Sequence, residues 1–348
     1  MRRLMRRSLP SQESISRAQD PQKGAATIMV AMLMVALMGC AALAVDVGAM
    51  YAEKAQLQNG ADAAALAIAG DCAKATCGDS TATGGSFANR NANDGSSGAT
   101  VTFPNSNTAR VVTKARAAGS TTDGFSLFFA RVLGIDSTQI PATAEASWGT
   151  PSKGSTLPWT VSQCLFEKYL SPSQLAELNS TGNFTGDPIP THILMRYDTN
   201  APTVPGCAAQ NGYQPGGFGW LKTDTSCTTN IDLSLNVDGQ TGNHFPNASA
   251  CNQLLATLLD EPALIPLYKS ATGNGTNATY SLVGFAAFKV TGYRFSGTVA
   301  INDSLAPSCN GNCRGLQGYF VRFVSLEEGM TLSGGLPNYG GTVVELTQ

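Results

Sequence analysis

The feature that most constrains this chain is an uncharged run near its start, Ala25 to Val45, in which Thr27 is the only conventional polar side chain. As an α-helix this run extends about 31 Å, which matches the hydrocarbon thickness of a bilayer. We therefore predict that it spans a membrane once. The rest of the chain then forms a body held at the membrane surface.

The distribution of charge predicts on which side that body lies. Residues 1–24 carry six basic and two acidic side chains, so the overall charge of -2 divides into +4 here and -6 in the remainder. Basic residues that flank a span stay on the cytoplasmic side. We expect residues 1–23 to be a disordered cytoplasmic tail and the acidic body to be extracytoplasmic. Arginine clusters also bind nucleic acid, but this one lacks interleaved aromatic residues, and we expect no nucleic-acid partner.

Two kinds of N-terminal processing are alternatives to an intact span. The sequence Leu37-Met38-Gly39-Cys40 resembles a lipobox, but the apolar run continues to Val45, where a mature lipoprotein turns polar. Lys23-Gly24 resembles a prepilin cleavage site, although Met29 stands where pilins carry a glutamate. We favour the unprocessed span and leave both alternatives open.

Cysteine usage also indicates an exported body. Cys40 lies in the span, and eight cysteines follow it: Cys72, Cys77, Cys164, Cys207, Cys227, Cys251, Cys309 and Cys313. An even number predicts disulfides, although eight cysteines permit roughly a hundred pairings. The simplest expectation is that close neighbours pair, Cys72 with Cys77 and Cys309 with Cys313. A zinc site is the alternative. Zinc sites usually combine two closely spaced ligand pairs, often with histidine, whereas four of these cysteines are scattered and neither His192 nor His244 lies close to a cysteine in the sequence.

Beyond the span, helix propensity favours continuation of the same helix to Ala69, with Gly70 as its stop. On a helical wheel one stripe faces a common direction: Met50, Leu57, Ala61, Ala64 and Ile68. The stripe predicts packing on the chain's own body. Its small residues would also let a partner helix approach closely, and the two interpretations are compatible.

Residues 71–150 predict a small α+β subdomain. We expect a loop over residues 72–100, strands over residues 101–103, 110–116 and 142–148, and a helix that Asp123 caps and Gly134 closes. The Pro- and Gly-containing segment 150–158 predicts a boundary.

Residues 151–348 predict a β-rich extracytoplasmic domain. Candidate strands cover residues 159–162, 192–197, 231–237, 263–268, 280–290, 293–301 and 318–324. Helices are expected over Pro172–Leu178, with Ser171 as N-cap, and over Asn252–Asp260. The fold class is therefore α+β: an N-terminal transmembrane helix (24–70) that continues outside the membrane, followed by a disulfide-containing, β-rich exported body.

The helix carries a specific motif: Ala44-Val45-Asp46-Val47-Gly48, then Tyr51, then Gln58-Asn59-Gly60-Ala61-Asp62-Ala63-Ala64-Ala65-Leu66-Ala67. Residues 24–70 thereby resemble the N-terminal region of the TadE/TadG-like Flp pilus-assembly family of the bacterial tight-adherence system. Gly60 replaces the usual alanine. The resemblance implies a structural or assembly role in a Flp/Tad-type pilus, with other pilus-assembly proteins or pseudopilins as partners. The candidate partner surface is Asp46, Tyr51, Leu57, Gln58, Asn59, Asp62 and Leu66.

Two other functions are weighed against this one. An exported module that binds cell-wall glycan or a surface partner is the first, with Trp148, Trp159, Trp220 and Tyr213 as a stacking patch. A hydrolase is the second. Its carboxylate candidates are Glu167, Glu177, Asp198 and Glu261, while His192 and His244 lack a Gly-x-Ser-x-Gly elbow. The alternation Asp232, Ser234, Asn236, Asp238 only weakly resembles a calcium loop. We expect no catalytic residue, metal or cofactor.

Overall fold

The computed structural model describes residues 22–74, 76–198, 200–207, 217–224, 227–240, 249–273, 277–326, 330–333 and 335–348. The helices are α1 (Gln22–Ala73), α2 (Ser80–Asn91), α3 (Gln163–Lys168), α4 (Pro172–Thr181), α5 (Ser249–Thr257) and a 3₁₀ turn, Ala130–Leu133. The strands are β1 (Ser97–Asn105), β2 (Thr108–Ala115), β3 (Phe125–Ser126), β4 (Ser137–Thr138), β5 (Pro141–Thr156), β6 (Trp159–Ser162), β7 (Ile193–Arg196), β8 (Phe218–Trp220), β9 (Thr229–Asp232), β10 (Asn236–Asp238), β11 (Ala263–Thr272), β12 (Thr279–Arg294), β13 (Gly315–Val321), β14 (Phe323–Ser325), β15 (Thr331–Ser333) and β16 (Gly341–Leu346).

The long helix α1 confirms that one helix continues from the apolar run into the body. It ends at Ala73 rather than at Gly70. A glycine stops a helix when it adopts left-handed backbone, and Gly70 is not among the glycines with positive φ. The helix end is instead fixed by Arg322, which donates a hydrogen bond to the Ala73 carbonyl.

Two seven-stranded sheets form the body. The first has the order β1-β2-β5-β16-β14, with β15 and β9 on the second half of β5. The second has the order β7-β13-β12-β11-β6-β8, with β10 beside β12. The helix α1 packs across β2, β5 and β16, and α2 packs on β1 and α1.

The strand β5 runs without interruption to Thr156, through most of the segment in which we predict a boundary. Its first half pairs with β2 and its second half with β9. The last strand, β16, also returns to β5. Strands from the beginning and from the end of the body therefore pair with the same strand, β5. The domain boundary at residue 150 stays a prediction.

Three hydrophobic clusters explain the packing. The largest lies on the second sheet around Trp159, Phe166 and Phe288. A second joins α1 to the first sheet through small side chains on both surfaces: Ala61, Ala64, Ala65 and Ala69 on the helix, Ala109, Ala144 and Ala146 on the strands. A third, of Leu264, Ala287, Met330 and Val343, includes residues of both sheets. Alanine on both surfaces brings helix and sheet backbones close together, as efficient packing requires.

Most local predictions are confirmed. Strands cover most of each predicted range, with residues 231–237 divided between β9 and β10. The strand predicted over residues 293–301 is confirmed only at its start, because residues 293–294 end β12, which also contains residues 280–290, and residues 295–300 lie outside the strands. The helix α4 begins with the expected Ser171, whose side chain and that of Gln174 form a reciprocal capping box. The helix α5 ends at Thr257, three residues before the predicted end.

Two local predictions are wrong. The expected loop over residues 72–100 contains α2, whose N-terminus is capped by Asp79, with 2.9 Å between its Oδ1 and the Ala82 nitrogen. Asp123 does not cap a helix, because its carboxylate is bound by Arg116 at 2.7 Å. The following residues form the β3–β4 hairpin, which leaves only the 3₁₀ turn that Gly134 closes in left-handed backbone.

Candidate functional site

The first residue of the candidate partner surface, Asp46, lies directly after the apolar run and is 5% exposed. Its carboxylate oxygens accept hydrogen bonds from the backbone nitrogens of Phe128 (2.9 Å), Phe129 (3.1 Å) and Ala130 (2.8 Å). The carboxylate thus caps the 3₁₀ turn, as an N-cap residue does for a helix. Asp46 therefore attaches α1 to a segment more than eighty residues away.

The charge of Asp46 is stabilised by this arrangement. Burial by itself would raise its pKa, because a carboxylate loses hydration. The three backbone donors and the charge of Arg131 act in the opposite direction, and together they hold the pKa of Asp46 below its ordinary value of 3.8. Asp46 is therefore an anion at neutral pH.

Four residues of the candidate partner surface, besides Asp46, face the chain's own body. Leu57 is 2% exposed and packs with Ala115 and Ala142. The Gln58 amide donates to the Thr143 carbonyl (3.0 Å) and to the Asp62 carboxylate (2.8 Å), and Leu66 packs partly buried against the alanine cluster. These contacts fix the register of α1 on β5.

Two residues of the candidate partner surface remain exposed. The Tyr51 side chain is 74% exposed, and Asn59 is also exposed. Eight residues of helix separate them, which corresponds to about 12 Å along the axis. Of the seven residues of the candidate partner surface, Tyr51 and Asn59 are therefore the two that are accessible to a partner.

The apolar half of α1 is exposed along its length. Every residue from Ala26 to Cys40 is exposed, and the helix is long and apolar enough to cross a membrane. Cys40 is free and exposed within this half. A helix whose large apolar side chains are exposed in this way matches a segment that lipid surrounds.

The eight remaining cysteines form four disulfides. Cys72–Cys77 and Cys309–Cys313 pair as expected. Cys164–Cys207 and Cys227–Cys251 are the other two. The Cys72–Cys77 bridge lies at the C-terminal end of α1 and ties it to the start of the segment that leads into α2.

The segment from Phe128 to Ile135, here called the apolar loop, is a feature that the sequence prediction missed. Five of its eight residues are large, apolar and exposed: Phe128 (76%), Phe129 (40%), Val132 (87%), Leu133 (78%) and Ile135 (51%). Their density in the sequence predicts a helix, and it does not indicate that the side chains are exposed. The hydrogen bond from Arg322 to the other end of α1 is likewise not predicted, because no local sequence pattern indicates it.

Two of the four residues proposed for a glycan-binding patch are buried. Trp159 is fully buried and Trp220 is 6% exposed, and both lie in the core of the second sheet. Trp148 is half-buried on β5, and Tyr213 lies outside the described residues. The stacking-patch prediction is wrong for Trp159 and Trp220 because aromatic area is used to fill the core.

Three of the residues considered for catalysis or calcium binding contact ionisable side chains of the body. Asp198 is bound by Arg196 (2.7 Å), and Asp232 by Lys153 (2.8 Å). The His192 ring contacts Asp303, which also accepts a hydrogen bond from Thr291. Within the described ranges, no group of three or more His, Cys, Asp or Glu side chains is placed to hold a metal ion. His244 lies outside those ranges.

Comparison with protein-family models identifies one match, the Tad family, described as Flp pilus-assembly TadE/G-like, over residues 24–71. The match covers the segment that the sequence motif identified and confirms that resemblance. The curated proteins and the solved structures give no significant match. The body beyond residue 71 is therefore interpreted from its own structure.

Proposed function

We propose that this chain is a structural or assembly component of a Flp/Tad-type pilus, anchored in the bacterial cytoplasmic membrane by residues 25–45. The observation that carries the proposal is that the residues matched by the family model form one helix with two distinct halves. The first half is apolar and exposed, and the second half packs on the body. A helix of this kind connects a membrane anchor to an extracytoplasmic domain.

The charge distribution and the disulfides support the orientation. The net charge of +4 over residues 1–24 favours a cytoplasmic N-terminus. Four disulfides in the body favour an oxidising compartment outside the cytoplasm. The matched family is one of pilus assembly, so the proposed role is structural rather than enzymatic.

The partner surface is proposed on the exposed side of α1 between Tyr51 and Asn59. The other residues of the candidate partner surface already contact the chain's own body, so their substitution would disturb the body before it disturbed a partner. Leu57→Arg, for example, would place a charge against the first sheet. Loss of assembly in that variant would not identify a partner contact.

Site-specific photo-crosslinking tests the proposal. A photoreactive amino acid at Tyr51 or Asn59, in cells that express the pilus machinery, is expected to capture a pilus-assembly protein or pilin. The matched control is Leu235, which is 62% exposed on the second half of the body and is expected to give no such product. Deletion of the gene is expected to abolish piliation. Normal piliation together with no crosslink at either position would refute the proposed role.

A further inference from the structure

We propose that the apolar loop, Phe128–Ile135, inserts into the outward-facing leaflet of the membrane and forms a second lipid contact beside the span. This inference rests on the anchoring proposed above and concerns a different element. Its occupant is the lipid surface, at the boundary between acyl chains and headgroups. The loop would hold the body at a fixed height and rotation relative to the bilayer.

The position of the loop is the first argument. Asp46 follows Val45, the last residue of the apolar run, and its carboxylate holds the backbone of Phe128, Phe129 and Ala130 directly. The loop therefore lies within a few ångströms of the level at which the helix leaves the hydrocarbon. On α1 itself, Val47 (45%) and Tyr51 (74%) continue the exposed apolar and aromatic surface. Tyrosine is enriched at this level of membrane proteins.

The chemistry of the exposed side chains is the second argument. Val132 and Leu133 project most fully, at 87% and 78% exposure, and Phe128 stacks edge-on against Phe129 at 4.9 Å between ring centroids. Contiguous exposed apolar residues of this kind mark an interaction surface. Arg131 is exposed among them, and its long side chain can place its charge among lipid headgroups while the stem contacts acyl chains.

The backbone of the loop is the third argument, because unsatisfied N–H groups prevent entry into an apolar phase. Asp46 accepts from three consecutive nitrogens. Leu127 donates to Asp136 (3.1 Å), Val132 to Phe129 (3.1 Å), Gly134 to Arg131 (3.0 Å) and Ile135 to Ala130 (3.2 Å). The loop thus satisfies these donors internally and presents side chains outward. Interfacial segments bury their apolar surface by about 5–10 Å in the headgroup region.

A fluorescence experiment on the full chain in lipid nanodiscs tests the inference. Three proteins are labelled with an environment-sensitive nitrobenzoxadiazole group: the unsubstituted chain at Cys40, Cys40→Ser with Val132→Cys, and Cys40→Ser with Ile189→Cys. Val132 is so exposed that the substitution removes no packing. Ile189 is a matched control at 84% exposure. It lies three residues from Gly186, where an added Cβ would lie 3.3 Å from the backbone nitrogen of Arg322. Arg322 binds the far end of α1, about 40 Å from Asp46 along the helix.

The label at position 132 is expected to resist aqueous iodide, with a quenching constant about threefold or more below that at position 189, and to be quenched by lipids with a shallow nitroxide. If position 40 is protected while position 132 is quenched like position 189, the inference is overturned and the anchoring stands. If position 40 is itself accessible to iodide, the anchoring fails and the inference fails with it. Protection of position 132 only when pilus proteins are added would assign the loop to a protein partner and overturn the lipid assignment.

Discussion

At the scale of single residues, Asp46 shows how one side chain joins two parts of the chain. It belongs to the motif by sequence, and in the structure it caps a turn of the apolar loop. No local pattern connects the two segments. The carboxylate can hold three consecutive backbone donors because it has two oxygens and a full charge.

Asp46→Asn tests this role. The amide keeps one acceptor oxygen and loses the charge, so hydrogen exchange at the Phe128, Phe129 and Ala130 amides is expected to accelerate by about tenfold or more. Exchange measured by NMR or mass spectrometry in detergent provides the readout. Asp62→Asn is the control, since Asp62 bonds Gln58 instead. If these three amides were equally protected in both variants, Asp46 would not be the acceptor that protects them.

The same contact predicts a pH dependence in the unsubstituted protein. Because the folded-state pKa of Asp46 is lowered from 3.8, its contribution is complete above that value and is lost as the pH falls through the folded-state pKa. Protection of the three amides, corrected for intrinsic exchange, should be constant from about pH 5 upward and decrease only in strong acid. A decrease near neutral pH would exclude Asp46 as the titrating group.

Leu57 and Tyr51 give the third residue-scale prediction. Leu57→Ala is expected to lower the free energy of unfolding by about 2–5 kcal/mol because it leaves a cavity between α1 and the first sheet. Tyr51→Ala should change it by no more than about 0.5 kcal/mol, because the side chain is exposed. Denaturation followed by tryptophan fluorescence measures both. A large loss for Tyr51→Ala would mean that Tyr51 supports the body.

At the scale of elements, α2 forms despite a composition typical of loops. Its glycines and small side chains lower helix propensity, but they let it lie against both α1 and β1. At Gly60 on α1, an added Cβ would lie 3.3 Å from the Cα of Ala88 on α2. Tertiary packing therefore overrides propensity here.

The adjacent glycines of α2 separate packing from propensity. At Gly84 an added Cβ would lie 2.6 Å from a methyl of Val101, whereas at Gly85 it would meet nothing within 4 Å. Gly85→Ala is therefore expected to raise the free energy of unfolding by about 0.5–1 kcal/mol. Gly84→Ala should lower it by about 1–2 kcal/mol through overpacking. If both variants were equally stabilised, α2 would not be packed as described.

At the scale of the whole molecule, β5 and β16 make the two halves interdependent. The strand β16 pairs with β5 and β14 in the first sheet, and Val343 on it packs with Leu264 and Ala287 of the second. The body is thus completed by its last strand. Without β16, part of the central strand β5 would have no partner on one side, and a sheet with such an unpaired edge is prone to misfolding.

Truncation after residue 340 tests this interdependence. Removal of β16 is expected to make both sheets sensitive to limited proteolysis, because each loses contacts that β16 supplies. Glu345→Ala, on the partly exposed face of the same strand, serves as the control and should digest like the unsubstituted chain. If the truncated chain yields a stable fragment that contains the intact second sheet, the halves fold separately and the boundary predicted near residue 150 gains support.

The sequence predicts the features whose signals are local. The apolar run, the Ser171 N-cap and the close cysteine pairs depend on neighbouring residues, and the structure contains all three. The helix α2, the role of Asp46 and the pairing of β16 with β5 depend on contacts between distant residues. The apolar loop was misassigned because the apolar density of Phe128–Leu133 is equally consistent with a buried helix face and an exposed surface.

The continuity of α1 also has a mechanical consequence. From Asp46 to Ala73 the helix extends about 40 Å without a proline, and both ends of this part are fixed, by the apolar loop and by Arg322. This part of the helix would therefore transmit motion as a rigid element, rather than serve as a flexible linker. A tilt of the membrane segment by about 10° would displace the far end by roughly 7 Å, so a force applied in the bilayer would reach the body as a rotation.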